Sequence, residues 1–237
     1  MKGYAAEVVS DDIDANNNIP RWSINYVTGE GIKFNNDVVV DSNGNSNLIQ
    51  GAVATGVQAV AFGGKTYGKF NKTAQTCASG NQSFAVGGST QAMNDYSFAS
   101  GCETIAEGRA SVACGEGSEA VGSYSFASGY YTTAEGAYST TFGKNTVAQQ
   151  GGFASGEYAK ASGAASFACG YGTQANAPTA QGIGSFAGGS GDVRAEGAYS
   201  FAYGRGDGNP VLSSGPHSLA IGYNVKSYGT FSKSIGD

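Results

Sequence analysis

Leucine is almost missing: Leu48, Leu212 and Leu219 are the only three in 237 residues. Leu, Ile, Val and Phe together make 40 residues, about 17% of the chain. With Glu and Lys also scarce and 39 glycines spread along the sequence, a helical bundle is excluded. There are four prolines and no glycine at every third position, which excludes collagen. Charge is sparse too, at 13% of residues and a net −5, and Tyr 14, Phe 12 and Trp 1 are too many aromatics for a solvated tail. One histidine, His217, and four cysteines without a CxxC pair (Cys77, Cys102, Cys114, Cys169) predict no zinc site, no other metal and no cofactor. The thiols are expected to be free, as in a protein made in a reducing cytosol. No stretch approaches the ~18 apolar residues of a membrane span. Met1 to Glu7 has no apolar run, so no secretory leader is expected there. The acidic balance gives no footprint for nucleic acid or an anionic membrane.

What is present is a repeat. Ser83-Phe84-Ala85-Val86-Gly87 recurs as Ser97-Phe98-Ala99-Ser100-Gly101 and Ser125-Phe126-Ala127-Ser128-Gly129. Variants follow around Val112, Thr140, Phe153, Phe167, Phe186, Phe201 and Leu219. The closing glycines 87, 101, 115, 129 and 143 are 14 residues apart. Halfway between them lies a second motif, as in Thr104-Ile105-Ala106-Glu107-Gly108 and Thr132-Thr133-Ala134-Glu135-Gly136. The elementary unit is seven residues, roughly [Ser/Thr]-x-Ala-x-Gly-x-x. Five residues alternate with period two, which is strand geometry, and the glycine with two more turns the chain. Two such units make one coil of a β-solenoid.

Parity assigns the faces. The x positions of the second motif hold Glu107, Glu119, Glu135, Lys160, Arg194 and Glu196. Charges are not left unpaired inside, so these face out, and Ser/Thr, Ala and Gly face in. The same parity in the first motif turns Phe84, Phe98, Phe126, Phe153, Phe167, Phe186 and Phe201 outward. Such an apolar stripe predicts an interface with identical chains around an axis.

From Ala52-Val53-Ala54-Thr55-Gly56 to about residue 222, this alternation resembles the head repeat of the trimeric autotransporter adhesins, the YadA-like head, which bacteriophage fibres reuse. The resemblance implies an all-β, left-handed parallel β-roll with two short strands per coil, assembled as a homotrimer. No heptad stalk follows residue 222, which turns the expectation from a bacterial cell-surface adhesin toward a virion fibre made in the host cytoplasm.

Three regions are expected: an N-terminal attachment or capping module (1–50), the roll (51–222) and a C-terminal cap (223–237). The first contains Trp22, an acidic run from Asp11 to Asn18, and strand-like pieces at Trp22 to Val27 and Val38 to Val40. It is the expected contact with a capsid or tail protein. Two intervals exceed the repeat: Gly170 to Gly189 is 19 residues and Gly204 to Gly222 is 18. Solenoid insertions emerge as loops on a binding face. The residues expected to meet a host glycan or protein are therefore Gln174, Asn176 and Pro178 in the first and Arg205, Asp207 and Asn209 in the second. Tyr130 and Tyr131, in a turn after Gly129, are added for stacking on sugars.

Other motifs have simpler readings. Arg205-Gly206-Asp207 matches the integrin-binding tripeptide but also reads as a glycine-rich turn. Asp12-x-Asp14-x-Asn16 opens like a calcium loop, yet Asn17 and Ser23 stand where Gly and Glu are required. Glu107, Glu119 and Glu135 could suggest glycan hydrolysis, but a solvated ladder explains them. The expectation is a non-enzymatic fibre or adhesin head that binds a host surface multivalently.

Overall fold

The computed structural model describes residues 53–64 and 76–236, together with the backbones of four short strands ahead of them. Trp22, the Asp11 to Asn18 run and residues 65–75 lie outside the described residues. All regular structure among the described residues is β. The chain divides into two compact units, Met1–Ala110 and Ser111–Asp237.

In the first unit, Ile24–Tyr26 pairs antiparallel with Ile32–Phe34, and Val38–Val40 with Ser46–Leu48. Parallel coils follow. A five-residue strand such as Phe84–Gly88 alternates with a two-residue strand such as Gln91–Ala92. Each pairs in register with its equivalent one coil on: Phe98 lies opposite Phe84, Ala99 opposite Ala85 and Ala106 opposite Ala92. The second unit repeats the pattern from Val112–Glu116 to Lys233–Gly236. This is a parallel β-solenoid.

The interior is narrow because it is filled by methyls and hydroxyls. Ala85, Ala99, Ala113, Ala127, Ala154, Ala168, Ala187, Ala202 and Ala220 are all fully buried, as are Thr104, Thr132 and Ser111. Val193 and Val211 head the largest fully buried side chains, and each occupies the slot that Thr or Ser fills in other coils. The hydroxyls close the turns: Ser139 Oγ donates to the Gly136 carbonyl (2.6 Å) and Ser97 Oγ to that of Asn94 (2.5 Å). With so little apolar area inside, the parallel backbone ladder and the close stacking of coils hold the unit together.

Each long strand closes on a glycine in the left-handed region, such as Gly156 (φ 115°) or Gly170 (φ 131°). A Cβ on Gly156 would overlap the Gly170 carbonyl oxygen of the next coil. Coils can stack at this point only where the side chain is absent.

The corners use the left-handed region in a second way. At the entry corner, from short strand to long, the residue before the inward Ser has positive φ even when it is bulky: Tyr124 (58°), Tyr138 (59°), Tyr199 (56°), His217 (54°), Phe231 (57°). This conformation is costly for a large side chain. It aims the N–H at the preceding coil, so Tyr138 donates to Ser123 O (3.0 Å) and His217 to Ala198 O (2.9 Å). The exit corner behaves alike: Tyr131 (φ 52°) donates to Glu116 O (2.9 Å).

The roll does not give way to a separate cap at residue 223. Leu219 lies opposite Lys233, Gly222 opposite Gly236, and Ser227 is buried in the inward column. Ser232-Lys233-Ser234-Ile235-Gly236 keeps the inward small residues and the closing glycine while replacing Phe and Ala, so it forms one more coil.

Candidate functional site: a phenyl ladder and an insertion-bearing corner

Two features of the second unit stand apart from the repeat. The first is the outward column of rings. Phe153, Phe167, Phe186 and Phe201 stack at centroid spacings of 4.6, 5.2 and 4.6 Å with interplanar angles of 9°, 7° and 6°. Phe126 joins them through Phe142, with spacings of 5.2 and 5.9 Å. In the first unit Phe84 and Phe98 stack at 5.4 Å, with Phe62 tilted onto Phe84 at 6.2 Å. The rings are neither enclosed nor fully wet. Each covers its neighbour's face and leaves its edge exposed, so Phe167 is 37% exposed while the alanine beside it is buried. Cys114 and Cys169 are half-buried in the adjoining outward column, and burial pushes both thiols up.

The second feature is the exit corner after Gly170, Gly189 and Gly204. The coils from these glycines run 19, 15 and 18 residues, so three successive coils carry extra residues at one corner. The first insertion folds on itself: Thr173 N–H donates to Asn176 O (2.7 Å) and Asn176 N–H to Thr173 Oγ1 (3.2 Å). Gln174 and Asn176 are exposed. Pro178 is not. It is fully buried, because Pro178-Thr179-Ala180 follows the inward-outward-inward parity of the short strand, and its carbonyl accepts from Lys160 N–H (2.9 Å). Pro178 is thus a core residue and is withdrawn as a ligand contact.

The second insertion is a bulge rather than a free loop. Phe201–Ser213 is one strand, paired as Gly191 with Gly206 and then Val193 with Val211, which leaves 207–210 unmatched. Asn209 is exposed. Arg205 Nη2 lies 3.2 Å from Asp207 Oδ2, with side chains 67% and 58% exposed, and Asp207 N–H donates to Asn224 Oδ1 (2.9 Å). The two charges of the tripeptide thus engage each other. Gly206 packs flush against the Asp192 backbone. In the coil between, Arg194 holds Asp192 in a two-pronged pair at 2.6 and 2.8 Å.

Tyr130 and Tyr131 meet edge to face at 4.5 Å and 87°. Tyr130 is 41% exposed, while the Tyr131 ring lies over Gly117. Glu135 is tied to Gln149 Nε2 (2.6 Å) rather than to a second carboxylate. Among the described residues no group of three or more His, Cys, Asp or Glu is placed to hold a metal ion, and no helix is long and apolar enough to cross a membrane. The sequence reading missed a further column, in which His217 is stacked between Tyr199 (5.3 Å) and Phe231 (5.0 Å) at the entry corner.

Residues 78–101 and 106–132 match the model of the YadA head domain repeat, in two copies. The crystal structure of the collagen-binding domain of the Yersinia adhesin YadA is similar at 24% identity over 76% of this chain and 80% of that one, with a TM-score of 0.42. No curated protein matches. The chain carries YadA-like head repeats.

Proposed function

We propose that the chain is a non-enzymatic, homotrimeric adhesin head, displayed on a bacterial surface and gripping its target through many weak contacts. The phenyl ladder carries this reading. Six rings from Phe126 to Phe201 line one side of a unit whose interior holds nothing larger than valine. Their faces are satisfied within the chain and their edges are not. Two further copies around a threefold axis, with the ladder turned toward that axis, would bring the same residues of all three chains together and cover those edges. The repeat match supports the same assembly and a cell surface as the carrier. Residues 1–50, with their two hairpins, would join the head to that carrier.

The contact surface is the exit corner. Gln174, Asn176, Arg205, Asp207 and Asn209 sit on insertions held by a rigid scaffold, where binding residues concentrate. Three copies per head, and many heads per surface, turn a weak site into a firm hold.

Light scattering after size exclusion tests the assembly. The wild type should have three times the 23.9 kDa chain mass, and Phe167→Asp/Phe186→Asp should have one, with its β circular dichroism retained. A monomeric wild type at micromolar concentration overturns it. For function, beads coated with the protein are scored on collagen and on mucin. Retention that drops with Asn176→Ala/Arg205→Ala/Asn209→Ala supports the corner; failure to adhere to either surface removes it. Immunogold label on intact cells supports the carrier, and label on purified virions would reassign it.

A further inference from the structure

The entry corner carries a column of aromatic rings with a gap in it. Tyr124 and Tyr138 stack at 5.3 Å and 4°, and the column resumes at Tyr199. Between them the equivalent positions are Gly151, Ala165 and Gly184. The Tyr199 ring reaches back over Gly184, so that position is filled. Gly151 is different: a Cβ there would meet nothing within 4 Å.

The gap is deepened by a deletion. Gly143 to Gly156 is 13 residues, and the missing residue is at this corner. Glu135-Gly136-Ala137-Tyr138-Ser139 in one coil is answered by Gln149-Gln150-Gly151-Gly152 in the next, with Gly152 N–H closing onto Gln149 O (2.8 Å). A shortened corner and an absent side chain together cut a step beside Tyr138. One face of its ring is covered by Tyr124 and the other looks into the step, which leaves Tyr138 69% exposed.

The polar groups next along the chain suit a polyhydroxylated ligand. Glu135 and Gln149 lie in register, joined at 2.6 Å, immediately before the corner in their two coils, and Gln150 is exposed on the step itself. A pyranose ring is amphipathic in the same sense. Its axial C–H face stacks on an aromatic face, and its equatorial hydroxyls seek carboxylate and amide partners. An aromatic side chain would use the Tyr138 face but leave the Glu135–Gln149 pair without a role.

We propose that the step at Tyr138 is a sugar-binding site that takes one pyranose ring of a glycan, with the ring stacked on Tyr138 and its hydroxyls turned to Glu135, Gln149 and Gln150. The site deepens the adhesin reading by naming a ligand class. Every residue in it belongs to one protomer, so it stands or falls separately from the trimer and from the exit corner.

Saturation-transfer difference NMR on the full chain, with lactose and chitotriose as probes, tests it. The wild type should pass saturation to ring C–H protons on one face of a probe. Tyr138→Phe should keep this. Tyr138→Ala should lose at least about tenfold in affinity, the size expected for one aromatic stacking contact together with its buried area. Gly151→Tyr restores the missing ring at a position where other coils hold Tyr, and should block binding with scattering mass and circular dichroism unchanged. No transfer to either sugar, or transfer that survives Tyr138→Ala, overturns the proposal. So does N-acetyltryptophanamide taking up saturation where the sugars do not, which would assign the step to an aromatic side chain.

Discussion

Phe126 and Phe142 pack ring to ring at 5.2 Å although they are not register partners: the residue opposite Phe126 is Thr140. Phe142 stands two places further along the strand, in the next outward slot, and reaches back to fill the position that Thr140 leaves without a ring. Thr141, between them, stays fully buried, so parity is preserved. Phe62 does the same beside Val60 in the first unit, where it tilts onto Phe84. The ladder is therefore a property of the surface rather than of one column, and its rings are kept where Val60 and Thr140 replace the phenylalanine of the motif.

That continuity can be broken and rebuilt. Phe142→Ser should destabilise the second unit by about 1–2 kcal/mol, less than a full core truncation because the ring is partly exposed. Thr140→Phe/Phe142→Ser moves the ring into the regular column and should recover most of the loss. Urea denaturation of the two variants decides it. Equal loss in both would show that the position of the ring, rather than its presence, is what matters.

Two glycines of one coil, the closing Gly156 and the corner Gly151, give the sharpest contrast. Gly156 combines φ 115° with a neighbour that a Cβ would strike, whereas Gly151 has φ 70° and open space. Gly156→Ala should cost about 2–4 kcal/mol, and Gly151→Ala about 1 kcal/mol from its backbone conformation alone. Thermal unfolding of the pair measures the difference, to which the coil-to-coil contact and the greater dihedral strain at φ 115° both contribute.

Much of this architecture is legible in the sequence because charge cannot be buried unpaired. Glu119, Lys160 and Arg194 fix which residues face out, and the inward alanines and outward phenylalanines follow. Pro178 is not legible in that way. Proline beside asparagine reads as loop, and only the pairing of Thr179 with Lys160 shows that Pro178 has returned to the inward column. The corner tyrosines are hidden for the opposite reason. Left-handed backbone favours glycine and asparagine, so nothing local suggests Tyr138 or Tyr199 there. The hydrogen bond to the preceding coil and the stacking that offset the cost exist only once the coils are in register. The last coil is missed because Lys233 and Ser234 replace the Phe and Ala that define the motif, while the inward-small pattern persists.

The inward serines divide into two groups. Ser139 Oγ donates to Gly136 O at 2.6 Å, whereas Ser166 Oγ is buried with no partner. An unmade buried hydrogen bond costs more than a made one contributes. Ser166→Ala should therefore be neutral or stabilising, and Ser139→Ala should lose about 1 kcal/mol. Parallel urea titrations of the two variants test this. A loss at Ser166 equal to that at Ser139 would mean that its hydroxyl is satisfied in solution.

The thiols titrate in the direction set by their surroundings. Burial disfavours the thiolate of Cys114 and of Cys169, so both sit above their ordinary pKa. Burial does the same at Cys77, where a hydrogen bond with Ser79 pulls the other way. A raised folded-state pKa means that the folded chain holds its proton where the unfolded chain has lost it. The stability tied to these protons is present in full below the ordinary thiol value of about 8.5 and declines as pH rises through the folded-state values. Two measurements follow. Stability in urea should fall as the pH rises above about 8.5, and Cys114→Ser/Cys169→Ser should flatten that fall. At pH 7.5 Cys114 and Cys169 of the native chain should react with a disulfide reagent more slowly than in urea, since the thiolate is the reacting species. Native and unfolded thiols reacting at one rate would show that the outward column beside the phenyl ladder is fully open to water.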